Sequence, residues 1–433
     1  MRARKPFALL TACAAAALSV TTLTPASSAL ANQKDSSVRD VAYQQWASAA
    51  DFSLGSFHGT TVTDDALTID EPTGTFDDTD PFGDGSATTY DVATWTSPEV
   101  SPGIDISELV SSWNATTPPG TWIQMSVSGV ADNGERSKDY ILGRWASGAD
   151  TIHRTSVPSQ GDDLATVAID TLKTRSDRSM QTWQLTVSLY RKAGTSATPS
   201  VSLVGGSAAA HPYGEKVGRS KRGGGASGTT LDVPTYSQEI HSGEYPEFDG
   251  GGEAWCSPTS TSMVLGYWDR GPTPEDYSWV DPSYDDPWVD YAAANTFDYN
   301  YDGAGNWPFN AAYASRYGLE SFVTRLDNMR QAEQFIKAGI PLVVSVSFEK
   351  GELTGAGYGT NGHLMVIVGF TKHGDVVVND PASHLIPSDD EVRTVYDRTE
   401  FQNVWVPHSG GIAYVIHPAS VPLPKTHGHD RNW

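Results

Sequence analysis

A glycine-rich and basic segment, residues 205–230, separates two parts of the sequence whose patterns differ. Two glycine-rich runs, 205–210 and 223–228, flank a basic stretch at 216–222. This composition is typical of a flexible linker. Because the chain has 433 residues, each part is long enough to bury a core of its own. We therefore predict two domains joined by a linker, followed by a polar, frayed tail over 419–433.

The first part, residues 32–204, has the pattern of a β-rich domain. Apolar and polar residues alternate over 122–127 and 182–187, as in strands with one buried face. Clusters of Pro, Gly and Asp separate such runs. Many short strands predict an all-β sandwich or jelly-roll-like domain. After Ile106 we expect one short helix, capped by Ser107.

Five tryptophans in this part allow two interpretations. Exposed indole rings would form a surface that binds sugar rings, whereas buried rings would belong to the core. Alternation places Trp122 and Trp183 beside apolar neighbours on one strand face, which favours the core. The five residues are Trp95, Trp113, Trp122, Trp145 and Trp183.

The second part, residues 231–418, mixes helical and strand patterns. Helices are predicted over 257–268, where Pro258 is tolerated in the first turn, and over 328–338, which Gly339 ends. Strands rich in Val and Ile are predicted over 341–348, 364–370 and 376–379. Helices first and strands later indicate an α+β domain.

The N-terminus has the pattern of an export signal over residues 1–31. Basic residues at the start precede an apolar stretch over 7–20, and Ala29-Leu30-Ala31 supplies a cleavage site of small residues. We therefore expect a secreted, extracellular protein. No later segment reaches the roughly 20 apolar residues that a membrane span needs.

The charge of the chain limits its partners. With 29 basic and 52 acidic residues, the formal net charge is −23. DNA, RNA and anionic membrane surfaces would repel such a protein. We expect no nucleic-acid partner, no membrane partner after signal removal, and a monomer.

The cysteine count points to a nucleophile. The chain has two cysteines, Cys13 and Cys256, and removal of the signal leaves only Cys256. Exported proteins usually pair their cysteines, so a solitary thiol is either a small buried apolar residue or a reactive group. Cys256 lies where a glycine-rich loop meets a predicted helix. Backbone N–H groups at a helix start favour a thiolate and can also stabilise an oxyanion.

A thiolate nucleophile needs a base, and His363 is the candidate. It opens the apolar run of 364–368, so its side chain is expected at the end of a buried strand. The following hairpin returns Asp380 beside it, where a carboxylate can orient the imidazole. Asn379 is an alternative partner, although alternation directs it to the opposite face. A purely structural His–Asp pair is the other interpretation.

Five short motifs occur in a fixed order along the second part. They are Val-Pro-Thr-Tyr-Ser-Gln (233–238), Trp-Cys-Ser-Pro-Thr-Ser (255–260), Gly-Ile-Pro-Leu-Val-Val (339–344), Gly-His-Leu-Met-Val-Ile-Val-Gly (362–369) and Asn-Asp-Pro (379–381). This order resembles the double-glycine leader peptidases, the bacteriocin-processing branch of the papain-like cysteine peptidases. The resemblance covers about 231–418.

The resemblance implies a papain-like fold, a Cys256–His363–Asp380 triad and Gln238 as the side-chain donor of the oxyanion hole. It departs from the family in two places. Ser257 follows the nucleophile where Gly is usual, and the eighteen residues from Gln238 to Cys256 include an extra acidic, glycine-rich stretch at 241–252.

These observations predict a secreted cysteine peptidase that hydrolyses peptide bonds through a thioester. The expected substrate is a peptide or protein, with cell-wall peptide as one candidate. The alternative is a catalytically inert protein that binds a surface or glycan and keeps a vestigial papain-like domain.

No cofactor or metal is assigned from the sequence. Residues 298–303 match the first half of a calcium-binding loop. However, Phe309 occupies the position that should hold the final glutamate. The plainer interpretation is a turn leading into the next helix.

Overall fold

A computed structural model describes residues 40–210, 217, 220–426 and 431–433. The signal peptide predicted over 1–31 lies outside the described residues, as do residues 216, 218 and 219 of the basic stretch. Within the described part of the chain, no helix is long and apolar enough to span a membrane.

The first domain consists of two antiparallel sheets, which confirms the predicted sandwich. One sheet has the order β10-β11-β7-β13-β4-β3, with β1 also paired to β13, and the other has the order β2-β6-β12-β8-β9, with β5 paired to β6. A single short helix is α1 (Ala49–Phe52). The strands are β1 (Asp40–Trp46), β2 (Ser56–His58), β3 (Thr60–Thr63), β4 (Ala66–Ile69), β5 (Gly74–Thr79), β6 (Ala87–Thr96), β7 (Glu108–Thr116), β8 (Thr121–Ser128), β9 (Tyr140–Trp145), β10 (Ala165–Ala168), β11 (Thr171–Thr174), β12 (Gln184–Lys192) and β13 (Ser200–Ala210).

The core of this domain is aromatic. All five tryptophans named above are fully buried, which confirms that they pack in the core. Trp122 stacks on Tyr190 with ring centroids 3.8 Å apart. These rings cannot form a surface that binds sugars.

Three sequence predictions outside the site are wrong. Instead of a short helix after Ile106, the chain forms strand β7, because both of its faces are covered. Strand β13 continues to Ala210 and takes in the first glycine-rich run assigned to the linker. The end of the tail is packed rather than frayed. Asn432 is buried and donates to the carbonyl of Arg325, and the Trp433 ring contacts Phe335.

The second domain is an α+β unit, as predicted, with one antiparallel sheet and helices on it. The sheet has the order β15-β20-β16-β17-β18-β19, and β14 also pairs with β17. The strands are β14 (Thr229–Thr230), β15 (Glu320–Arg325), β16 (Leu342–Phe348), β17 (Thr360–Phe370), β18 (Val376–Asn379), β19 (Arg393–Tyr396) and β20 (Ile412–His417). The helices are α2 (Cys256–Tyr267), α3 (Pro287–Thr296), α4 (Trp307–Ser315), α5 (Met329–Lys337) and α6 (Arg398–Ser409).

The two domains share a buried interface. Strand β7 of the sandwich packs against α4 and β15 of the second domain. The Asn114 side chain donates to the carbonyl of Ser321 at 2.6 Å, and Val323 N–H donates to Ser112 Oγ at 2.8 Å. One hydrophobic cluster runs without interruption from the sandwich to the start of α2. The second domain therefore rests on the first along the side of its sheet that α4 covers.

Candidate active site

The start of α2 lies against the start of β17. Ser260, one turn after Cys256, donates from Oγ to the carbonyl of Leu364 at 3.0 Å. Leu364 directly follows His363, so this bond joins the helix turn that carries the thiol to the strand end that carries the imidazole. Cys256 and His363 are both buried, with 4% of each exposed.

His363 and Asp380 form the contact that their positions in the hairpin predicted. Pairing of Val366 with Asn379 sets the end of β18 beside the start of β17. His363 Nε2 lies 2.8 Å from Asp380 Oδ1. With Nε2–H donating to the carboxylate, a neutral ring carries its lone pair on Nδ1, the nitrogen that a thiol could use. Asn379 is directed elsewhere and donates to the carbonyls of Val233 and Pro234.

Asp380 remains ionised although it is fully buried. Burial alone would raise its pKa, but the hydrogen bond and charge of His363 and two tyrosine hydroxyls outweigh that effect and lower it. Tyr358 and Tyr396 donate to Oδ2 at 2.8 and 2.9 Å. Ala382 N–H adds a bond to Oδ1. Neither tyrosine is among the site residues predicted from the sequence.

Tyr358 also contacts the imidazole that Asp380 orients. Its ring contacts the His363 ring edge to face, with centroids 5.8 Å apart. Burial raises the pKa of Tyr358 most, followed by the charge of Asp380, and the charge of Cys256 contributes as well. His363, Asp380 and Tyr358 thus form one buried cluster, and the Ser260–Leu364 bond sets the start of α2 beside it.

Gln238 lies between the Asp380 loop and the approach to Cys256. It begins a short 3-10 turn, Gln238–His241, and its backbone N–H donates to the carbonyl of Pro381 at 2.9 Å. Its side-chain Nε2 donates to the carbonyl of Glu253 at 2.6 Å. Glu239 Oε1 is 3.4 Å from the same nitrogen. One amide hydrogen therefore fixes the side chain, and the second has only this long contact.

The N-terminus of α2 is free of competing side chains. Trp255 makes no side-chain cap bond, and the first turn contains no acidic residue. The backbone N–H groups of this turn therefore keep their positive potential for an anion. Ser257, which stands where the resembling family has Gly, turns away and lies 3.0 Å from the Tyr414 hydroxyl.

Asp298 holds a turn together through protein donors. Oδ1 accepts from the backbone N–H of Ser156, Asn300 and Tyr301 at 2.9 to 3.1 Å. Oδ2 accepts from Asn306 Nδ2. Because Ser156 belongs to the sandwich, this calcium-like sequence fastens one domain to the other.

The arrangement can carry out nucleophilic acyl transfer. A thiol at a helix N-terminus, an imidazole oriented by a buried carboxylate and a nearby amide donor are the parts that such chemistry requires. Comparison with known families bears on the same residues. Residues 42–209 match the family described as the peptidase C39 N-terminal domain, and residues 230–412 match the peptidase C39-like family. The chain carries a papain-like peptidase domain of the C39 type.

Other comparisons add little. No curated protein is significantly similar to this chain. Among solved structures, the enzymatically active domain of tailspike protein 4 from bacteriophage CBA120 is 10% identical, with a TM-score of 0.18, over 37% of this chain and 20% of that one. A carbohydrate-binding module of the β-sandwich superfamily is 12% identical, also with a TM-score of 0.18, over 36% of this chain and 59% of that one. The chain thus spans a fifth and about three fifths of these two structures.

Proposed function

We propose that this protein is an exported cysteine peptidase that hydrolyses peptide bonds. The observation that carries the proposal is the bond between His363 Nε2 and Asp380 Oδ1 at the strand end that adjoins Cys256. It leaves Nδ1 of a neutral ring to accept the thiol proton. The family match to a peptidase C39-like domain supports the same chemistry.

In the proposed reaction, His363 takes the proton of Cys256 and the thiolate attacks the carbonyl carbon of a peptide bond. The oxyanion accepts hydrogen bonds from the Cys256 backbone N–H and from the second amide hydrogen of Gln238. His363 then donates its proton to the leaving amine. Water, deprotonated by His363, hydrolyses the thioester and releases the acid.

Thiol reactivity provides the first test. We expect iodoacetamide to label Cys256 well below pH 7, because a His-activated thiolate forms far below the ordinary thiol pKa of about 8.5. At pH 6 the rate should fall at least about 10-fold in His363→Ala. Labelling that rises only near pH 8.5 in both proteins would contradict the proposal.

Hydrolysis provides the second test. The secreted chain should cleave peptides from a denatured protein mixture, with new amino termini identified by mass spectrometry. Cys256→Ala should lower the rate to background, whereas Ser262→Ala, in the same helix, should retain it. Equal cleavage by the wild type and Cys256→Ala would identify a contaminating peptidase and remove the support for the proposed activity.

A further inference from the structure

The extra stretch between Gln238 and Cys256 forms a second cluster of titratable groups. His241 Nδ1 lies 2.7 Å from Glu244 Oε2 and 3.4 Å from Asp290 Oδ2. Each of the three residues offers one potential metal-ligand atom, and these three atoms lie within 4.8 Å of one another. Asp290 comes from α3, so the cluster joins this stretch to a separate helix.

The Asp290 carboxylate lacks donors of its own. Its side chain is fully buried, and neither oxygen accepts a hydrogen bond. Buried carboxylates normally accept hydrogen bonds from the protein, as Asp298 does in the same domain. Asp290 Oδ2 instead faces the imidazole at the length of a loose ion pair.

The charges around the cluster do not balance. His241 can supply at most one positive charge, whereas Glu244 and Asp290 supply two negative charges. Two further carboxylates, Asp286 and Asp389, lie near enough to interact with His241, and one oxygen of Asp286 is buried without a hydrogen-bond partner. Among the described residues, no Lys or Arg forms an ion pair with these four acids. An excess of buried negative charge is relieved by a bound cation or by protonation.

We propose that His241, Glu244 and Asp290 bind a divalent transition-metal ion, with Zn²⁺ as the best match. One imidazole nitrogen with two carboxylates suits Zn²⁺, whereas Ca²⁺ requires six to eight oxygen ligands. Ligand atoms around a tetrahedral zinc ion lie about 3.4 Å apart. The separation of 3.4 Å between His241 Nδ1 and Asp290 Oδ2 has this value, whereas His241 Nδ1 and Glu244 Oε2, which are hydrogen-bonded at 2.7 Å, would move apart by about 0.7 Å on binding.

The metal would act on the position of the oxyanion segment. His241 ends the 3-10 turn that Gln238 begins, and its ring lies 5.8 Å from the ring of Trp255, the residue before Cys256. Binding of the ion would fasten this turn to α3. The extra stretch would thus stabilise the segment that carries Gln238. This structural role does not depend on the reaction at Cys256.

The test measures Zn²⁺ binding to the untagged mature chain carrying Cys256→Ala, since the thiolate itself could bind zinc. After EDTA treatment and dialysis, calorimetric titration should give one Zn²⁺ per chain. Saturating Zn²⁺ should raise the melting temperature by about 5 °C. In the same background, Asp290→Asn and Glu244→Gln should each weaken binding at least 10-fold. Circular dichroism establishes whether each variant is folded. If Asp290→Asn does not fold, Glu244→Gln still tests the site.

Glu253→Gln is the matched control, because it removes an exposed carboxylate of the same stretch that faces Ser242 rather than His241. It should bind Zn²⁺ as the parent does. Hydrogen exchange of peptides covering 239–252 should slow on addition of Zn²⁺ in the parent and the control only. Absence of stoichiometric binding, or equal affinity in the parent and both ligand variants, would overturn the proposal.

Discussion

At the scale of single residues, the two tyrosines on Asp380 make a specific prediction. Tyr396→Phe removes one donor from Oδ2 and should raise the pKa of Asp380, which those donors help to lower. Since the proposed activity requires ionised Asp380, the acid limb of the pH profile of kcat/KM should move to higher pH. At pH 5 the variant should lose more activity than at pH 7.

Tyr267→Phe is the control for this measurement. The Tyr267 hydroxyl donates to the carbonyl of Gly339, at the other end of α2 from Cys256. It should leave the acid limb in place. If Tyr396→Phe lowers kcat/KM by the same factor at every pH, the hydroxyl does not act through the ionisation of Asp380.

The burial of Asp249 predicts how the stability of the protein depends on pH. Burial, opposed by a bond from Ala304 N–H, raises the pKa of Asp249 to about 7. The folded state therefore holds this proton up to about pH 7, whereas the unfolded chain releases it near pH 4. The stability linked to this proton is fully present below pH 4 and is lost as pH rises toward 7.

Asp249→Asn should remove this pH dependence. At pH 8 we expect the variant to be more stable than the wild type by about 1 to 3 kcal/mol, because the amide oxygen can still accept from Ala304 and no charge is buried. At pH 4 the two proteins should be equally stable. Urea unfolding at both pH values measures the difference, and a gain that is the same at pH 4 and pH 8 would contradict this explanation.

Some residues of the candidate site are predictable from the sequence and others are not, for a physical reason. The lone thiol and the short hairpin singled out Cys256, His363 and Asp380, because each is local or unique. Tyr396 reaches Asp380 only through the pairing of β19 with β18, where Val376 lies opposite Tyr396. Strand register of this kind leaves no short-range signal.

At the scale of elements, one bond sets the helix that carries Cys256 against the strand that carries His363. Ser260→Ala removes the bond to the Leu364 carbonyl and should lower the free energy of unfolding by about 1 kcal/mol. It should also lower kcat more than it raises KM, since the separation of thiol and imidazole becomes less fixed.

Ser262→Ala serves as its partner variant. Ser262 is buried in the same helix, but its hydroxyl has no hydrogen-bond partner. Its loss should therefore change stability by less than about 0.5 kcal/mol or be stabilising. Urea unfolding and steady-state kinetics compare the two. Equal effects would show that the helix tolerates loss of the bond to β17.

The sequence predicts an element well where one of its faces is clearly buried and the other is clearly exposed. Helix α5 has one apolar and one polar face and an Asn328 cap, so the sequence predicts its bounds closely. Strand β7 is buried on both faces over nearly all its length, and its residues show no period of two. Helices α3 and α4 have Pro in the first turn and are rich in buried alanine, which gives no clear apolar stripe.

At the scale of the whole molecule, a buried ion pair crosses the domain interface. Arg325 of β15 lies 2.5 Å from Glu108 of β7, and both side chains are almost fully buried. The sequence suggested two independent domains, because a linker is visible in composition and an interface is not. Contacts between residues about 200 positions apart, such as Asn114 with Ser321, depend on the docked tertiary structure.

This interface determines what cutting the linker should do. With a sequence-specific protease site inserted after Ser220, we expect both fragments to remain together in size-exclusion chromatography after cleavage, because the ion pair and the shared core persist. Glu108→Ala leaves Arg325 as a buried charge whose one remaining side-chain hydrogen bond among the described residues is to the carbonyl of Ser409, and should weaken the association by about 3 kcal/mol. In that variant the fragments should separate at low concentration.

Asp132→Ala, which breaks an exposed pair with Arg178 inside the sandwich, is the control and should leave the fragments associated. Separation of the wild-type fragments would mean that the linker, rather than the interface, keeps the sandwich on the peptidase domain.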